Sequence, residues 1–184
     1  IGKNLLSLCK RVSFILQLKI KNIFSQEPHT IKIITDGSAS PKHGIGAWAS
    51  YIVTPSEETV LKDTESNATQ HAMELKAVLK SLTYIQSTFQ IVSVSLEVYT
   101  DSDYVLGLPG RKKKLVSNNF QTKKGNEVRN RVLIAEFYEW LEYLNITLIP
   151  VEGHAKKGQS AITDYHREVD KLSRKLVRRA GREE

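Results

Sequence analysis

Four carboxylates in this chain stand where packing alone gives them little reason to be. Asp36 follows the apolar run of IKIITDGSAS, and Asp101 follows that of SLEVYTDSDYV, 65 residues later (101 − 36). Glu74 sits beside Met73 and Leu75 in HAMELKAVL, and Asp170 beside Val169, two before Leu172, in HREVDKLSRK. A carboxylate buried unpaired among such neighbours is costly. Taken singly, each reads as a helix cap, a turn at a strand end or a surface salt bridge. Taken together, they are hard oxygen donors that make sense if they converge on Mg²⁺ or Mn²⁺.

The elements that would carry these acids are legible from periodicity. Residues 30–36 alternate Ile with Lys and Thr, which predicts a strand ending at Asp36. A second strand is expected over 45–54 and a shorter third in ETVLKD, joined as an antiparallel meander. NATQHAMELKAVLKSLTYIQ has helical spacing through Met73, Leu75, Val78, Leu79, Leu82 and Ile85, with Asn67 or Thr69 as its cap. A fourth strand over 92–100 delivers Asp101, and a short helical piece ends at Gly107 and Pro109. A basic loop, a helix over about 127–144, the strand ITLIPVE, a polar loop and a basic helix over about 164–180 complete the order. The pattern β-β-β-α-β-α-α-β-α predicts an α/β fold, a mixed five-stranded sheet flanked by helices. Reactive groups in such sheets collect where strands end.

Bulk properties bound the rest. At 184 residues, 40% hydrophobic and 26% charged, the chain is a globular domain with something left over. Its net charge of +7 makes nucleic acid or an anionic membrane a natural partner without choosing between them. Cys9 is the single cysteine, so nothing depends on an internal disulfide. Residues 1–28 are basic and apolar, and their longest uncharged run, Val12–Leu18, is far short of the roughly 20 residues that cross a bilayer. No stable membrane insertion is expected. A targeting or membrane-surface helix, a polyprotein linker and a helix docked on the domain all fit this stretch. Because the chain starts at Ile1, a processed or truncated leader or linker is the preferred expectation, followed by one domain over 29–184.

ITDGSAS, ATQHAMELKAVLKSL, VYTDSDYV, PVEGHAKKG and REVDKLSRK together resemble the successive signatures of the type 1 ribonuclease H family. They occur in the family's order, with intervals of 38, 27 and 53 residues from Asp36 to Glu74, Asp101 and His154 in turn. The resemblance covers about residues 30–180. It implies a ribonuclease H-like fold and hydrolysis of the RNA strand of RNA–DNA hybrids. It further implies two Mg²⁺ ions, replaceable by Mn²⁺, held by Asp36, Glu74, Asp101 and Asp170. His154, on a Gly-His loop, matches the family's histidine that assists proton transfer or product departure.

By the same resemblance Gly37 and Ser38, in a loop reaching Lys42, and Gln70 would contact 2′-hydroxyls, and Thr69 and Asn130 a DNA-strand phosphate. The segment 111–131 holds eight Lys or Arg against one acid, Glu127. It stands where relatives carry a basic protrusion, so Lys112, Lys113, Lys114, Lys123 and Lys124 are candidate phosphate contacts. Relatives usually place several tryptophans there, whereas this chain offers only Phe120. A second departure lies further on. His154 and Asp170 are 16 residues apart, longer than in compact cellular members and closer to some retroviral reverse transcriptase domains. His166 stands where relatives usually have Asn. A monomeric intracellular or organellar nuclease is therefore expected. The rivals are a domain attached to retroelement polymerase domains and an inactive module that binds hybrid or duplex.

Overall fold

The computed structural model describes residues 30–89, 94–152 and 158–182, and the predicted leader and His154 lie outside them. Ten elements follow in order: β1 (Thr30–Ser40), β2 (Ile45–Val53), β3 (Glu58–Ser66), α1 (Gln70–Thr88), β4 (Ser95–Thr100), α2 (Asp103–Leu106), α3 (Leu108–Ser117), α4 (Arg131–Tyr143), β5 (Asn145–Pro150) and α5 (Ala161–Ala180). The strands form one sheet in the order β3-β2-β1-β4-β5. The first three make the expected antiparallel meander, while β4 and β5 add parallel to β1 and to each other. The sheet is mixed and five-stranded, as the element order predicts.

Strand alternation sorts the core into two layers. Ile31 and Ile33 of β1, with Leu96 and Val98 of β4, pack against Leu75, Val78, Leu82 and Ile85 of α1 and Ile134 and Phe137 of α4. Each such side chain, fully buried, contributes about 1.5–3 kcal/mol. On the opposite face, Ile34 and Ala49 meet Val169 of α5. α1 begins where Thr69 accepts a hydrogen bond from the Ala72 amide (3.3 Å), so Thr69 is its cap and Asn67 is not.

Several expectations about boundaries change, each for a local reason. β1 does not stop at Asp36. It pairs with β2 as far as Ser40↔Ile45, and the reversal falls at 41–44, where Gly44 takes a positive φ of 62°. The expected loop after Gly37 is thus strand up to Ser40. The basic stretch after Gly107 is a loop only in its second half: Lys112, Lys113 and Lys114 lie on α3, and Lys123 and Lys124 in the turn that follows it. Pro109, read as a helix end, stands in the first turn of α3, where its missing N–H costs nothing. α4 starts at Arg131 because Asn130 is left-handed (φ 63°).

Candidate metal centre and nucleic-acid face

The parallel register between β1 and β4 brings the two strand aspartates together. Ile34 pairs with Tyr99, and two residues further on stand Asp36, still in β1, and Asp101, just past the end of β4. Side chains two apart share a face, and neighbouring strands lie about 4.8 Å apart. Both carboxylates therefore project toward α5. There Ser173 donates a short hydrogen bond to Asp36 Oδ2, and His166 Nε2 lies 3.5 Å from Asp101 Oδ1. Asp36, Asp101 and His166 each offer a ligand atom, all within 4.8 Å of one another.

Glu74 approaches from α1. Its Oε2 accepts a 2.5 Å hydrogen bond from Ser102, the residue after Asp101, and its Oε1 accepts from Gln70 Nε2 at 3.1 Å. Asp170 is one turn beyond His166 on α5 and is paired with Arg174 Nε at 2.7 Å. Glu74 and Asp170 thus flank the three-atom group without entering it.

The electrostatics are those of crowded acids. Burial pushes the Asp36 carboxyl up to about 6; the Ser173 hydrogen bond opposes this, Asp101 and Asp170 add to it, and His166 relieves part of it. His166 is held above its ordinary value, because burial lowers it but Asp101, Asp36 and Asp170 together outweigh that. A buried carboxylate that resists ionisation beside two further acids is a place where a cation gains free energy. The donor set suits a divalent ion, and the group could hold one.

Gly37 lets α1 come this close. A Cβ there would fall on the backbone of Met73 and Glu74, so any side chain would drive α1 off the sheet. Gln70 locks the same junction: its Oε1 accepts from the Ala39 amide (3.0 Å), and its Nε2 donates to the Gly37 carbonyl. The amide expected to reach a 2′-hydroxyl is thus also engaged within the protein. Ser38 lies in β1 opposite Ala47, half-buried. Thr69 caps α1, and Asn130 Nδ2 donates to the Tyr104 hydroxyl at 3.3 Å, beside the stacked rings of His71 and Tyr104 (4.4 Å).

The basic segment forms a separate flank. Lys113, Lys114, Lys123 and Lys124 are exposed, whereas Lys112 Nζ is paired with Glu142 (2.7 Å) over the Tyr138 ring. Phe120 is half-buried against Tyr138, with Arg131 over its ring, so it serves the core edge and is not free for stacking. Sequence reasoning assigned no role to three residues at the centre: Ser102, Ser173 and His166. The spacing of His166, Asp170 and Ser173, four and three apart, is the signal that places them on one helical face.

Fold and site together define an α/β domain with a cluster of carboxylates on β1 and at the end of β4. A profile of the RNase H family matches residues 28–178. The chain is 32% identical to the ribonuclease H of Caldicellulosiruptor saccharolyticus over 127 residues, 68% of this chain and 84% of that one. It is 28% identical to the ribonuclease H of a Thermoanaerobacter species over 155 residues, 83% and 93% of the two chains. Among solved structures, a type 1 RNase H with the type 2 active-site motif superposes with a TM-score of 0.66 at 16% identity, covering 83% of this chain and 74% of that one. The foamy viral protease-reverse transcriptase in complex with double-stranded DNA superposes with a TM-score of 0.60 at 16% identity, covering 82% and 94%. The chain belongs to the ribonuclease H family and is an endoribonuclease acting on RNA–DNA hybrids. No helix among the described residues is long and apolar enough to cross a membrane.

Proposed function

We propose that the chain cuts the RNA strand of a hybrid at the centre lined by Asp36, Glu74, Asp101 and Asp170, with two divalent cations, Mg²⁺ or Mn²⁺, held between these acids and the scissile phosphate. The observation that carries this reading is the convergence of Asp36, in β1, and Asp101, just past the end of β4, to within 4.8 Å of each other, with Asp36 buried and its pKa raised. Two such cations, when bound, lower the pKa of the attacking water and steady the leaving oxygen. The protein's part is positioning. Ser173 orients Asp36, Ser102 orients Glu74, and the Gln70 clamp fixes α1 against β1. His154 would assist proton transfer or product departure.

Gly37, Ser38, Thr69, Gln70 and Asn130 are our candidates for holding the hybrid. The exposed lysines of α3 and of the 121–127 turn would hold phosphates without reading sequence. Residues 29–184 act as the nuclease unit in this reading, inside the cell or an organelle, with residues 1–28 as leader or linker.

The test compares an RNA–DNA hybrid, duplex RNA and duplex DNA, each with Mg²⁺ and with chelator. Metal-dependent cutting of only the hybrid's RNA strand is expected. Asp101→Asn should abolish cutting while hybrid affinity stays within about threefold, since it removes a metal ligand and few substrate contacts. Cutting that survives in Asp101→Asn would overturn the assignment of the centre. Salt-sensitive binding by the wild type without any cutting would leave a binding module in its place.

A further inference from the structure

His166 is the one central side chain that the four-acid reading leaves without work. It is 4% exposed, and its Nε2 is fully buried with no hydrogen-bond partner. The 3.5 Å separation from Asp101 Oδ1 is an ion-pair distance outside hydrogen-bond geometry. A buried polar atom left unsatisfied costs about 1–3 kcal/mol. That cost falls on an atom aimed between two carboxylates, within 4.8 Å of both.

We propose that His166 Nε2 is a direct ligand of the cation held by Asp36 and Asp101, and that this nitrogen tilts the site toward Mn²⁺ over Mg²⁺. The inference rests on the reading of those two aspartates as cation ligands. Neighbouring donors on an octahedral ion are about 3 Å apart, so the 3.5 Å between His166 Nε2 and Asp101 Oδ1 needs to close by only a few tenths of an ångström, while the Asp36 carboxylate, within 4.8 Å of both, has to move in further. Imidazole is a good donor to first-row transition ions, whereas Mg²⁺ favours all-oxygen surroundings. The nitrogen is also preorganised. The helix that carries it is closed at its start by a reciprocal cap, in which Ser160 accepts from the Thr163 amide (3.1 Å) and Thr163 accepts from the Ser160 amide (3.0 Å). Below Asp101 on the same face, Tyr165 and Tyr51 both donate to Glu58, pinning α5 to β2 and β3.

The test is Mn²⁺ binding by the full chain, followed by calorimetry and by pulsed electron paramagnetic resonance, which detects a directly bound ¹⁴N. Wild type should show imidazole nitrogen coupling. The coupling should vanish in His166→Asn and persist in His154→Ala. The same His166→Asn change should weaken Mn²⁺ binding about tenfold and Mg²⁺ binding much less. If wild type binds Mn²⁺ and loses it in Asp101→Asn, yet shows no nitrogen coupling, the proposal falls while the carboxylate site stands. Coupling that survives in His166→Asn would assign the nitrogen elsewhere and overturn it equally. Absence of any Mn²⁺ binding would remove both readings. The wild-type spectrum decides the matter even if the variant folds poorly.

Discussion

An ionised carboxylate at position 36 must give up most of its hydration, because Asp36 is only 8% exposed. Its pKa of about 6 in the folded chain stands above the ordinary 3.8. The folded state therefore binds more protons than the unfolded state between these values. Without metal, stability should fall as pH rises through roughly 4 to 6, with the full penalty present above that window. Asp36→Asn keeps an acceptor for Ser173 and removes the charge. It is expected to stabilise the metal-free protein by about 3 kcal/mol at pH 7.5 and by little at pH 4. Urea unfolding at the two pH values checks this, and a variant no more stable at the higher pH would mean the carboxylate is better solvated than its burial implies. The acids themselves were readable in the chain because each interrupts an apolar pattern. Their partners were not: Ser173 and Ser102 are common residue types at unremarkable positions. Only the β1–β4 register and the docking of α5 give them a purpose.

At the scale of elements, the predicted order of strands holds and one helix, α3, is added to it, because periodicity dominates wherever an element buries one face. The failures sit where local chemistry has two readings. Pro109 can end one helix or begin the next, and the tertiary anchors Leu108 and Leu115 make it begin α3. Asp36-Gly37 looks like a turn, but Gly37 is there for the approach of α1 and the strand continues. The cap of α5 offers a test of how far element ends govern the centre. Ser160→Ala should cost about 1 kcal/mol of global stability, read by thermal unfolding. Because His166 lies in the second turn beyond that cap, a fraying start should also weaken cation binding by severalfold. A variant that loses stability yet binds cations as before would show that the Tyr165–Glu58–Tyr51 contact alone suffices to seat the helix.

Over the whole molecule, the described basic segment places Lys112, Lys113 and Lys114 on α3 and Lys123 and Lys124 in the 121–127 turn, with one acid, Glu127, among the eight cations of 111–131. Hybrid affinity should fall steeply with salt, by a slope of about 0.9 for each phosphate contact. Replacing Lys113, Lys114, Lys123 and Lys124 with Ala should flatten that slope. Lys112→Ala should change it least, since its ammonium is already shared with Glu142. Equal effects at all five positions would argue for diffuse attraction over defined contacts.

The hydrogen bond from Ser173 to Asp36 spans 137 residues of chain. The meander that carries Asp36 can form as soon as it is made, but the face that completes the centre is supplied by α5, the final described helix. A growing polypeptide on the ribosome would thus expose β1, β2 and β3 long before it could gather these acids around an ion. Until α5 has been made, a nascent chain beside its own messenger carries no finished blade.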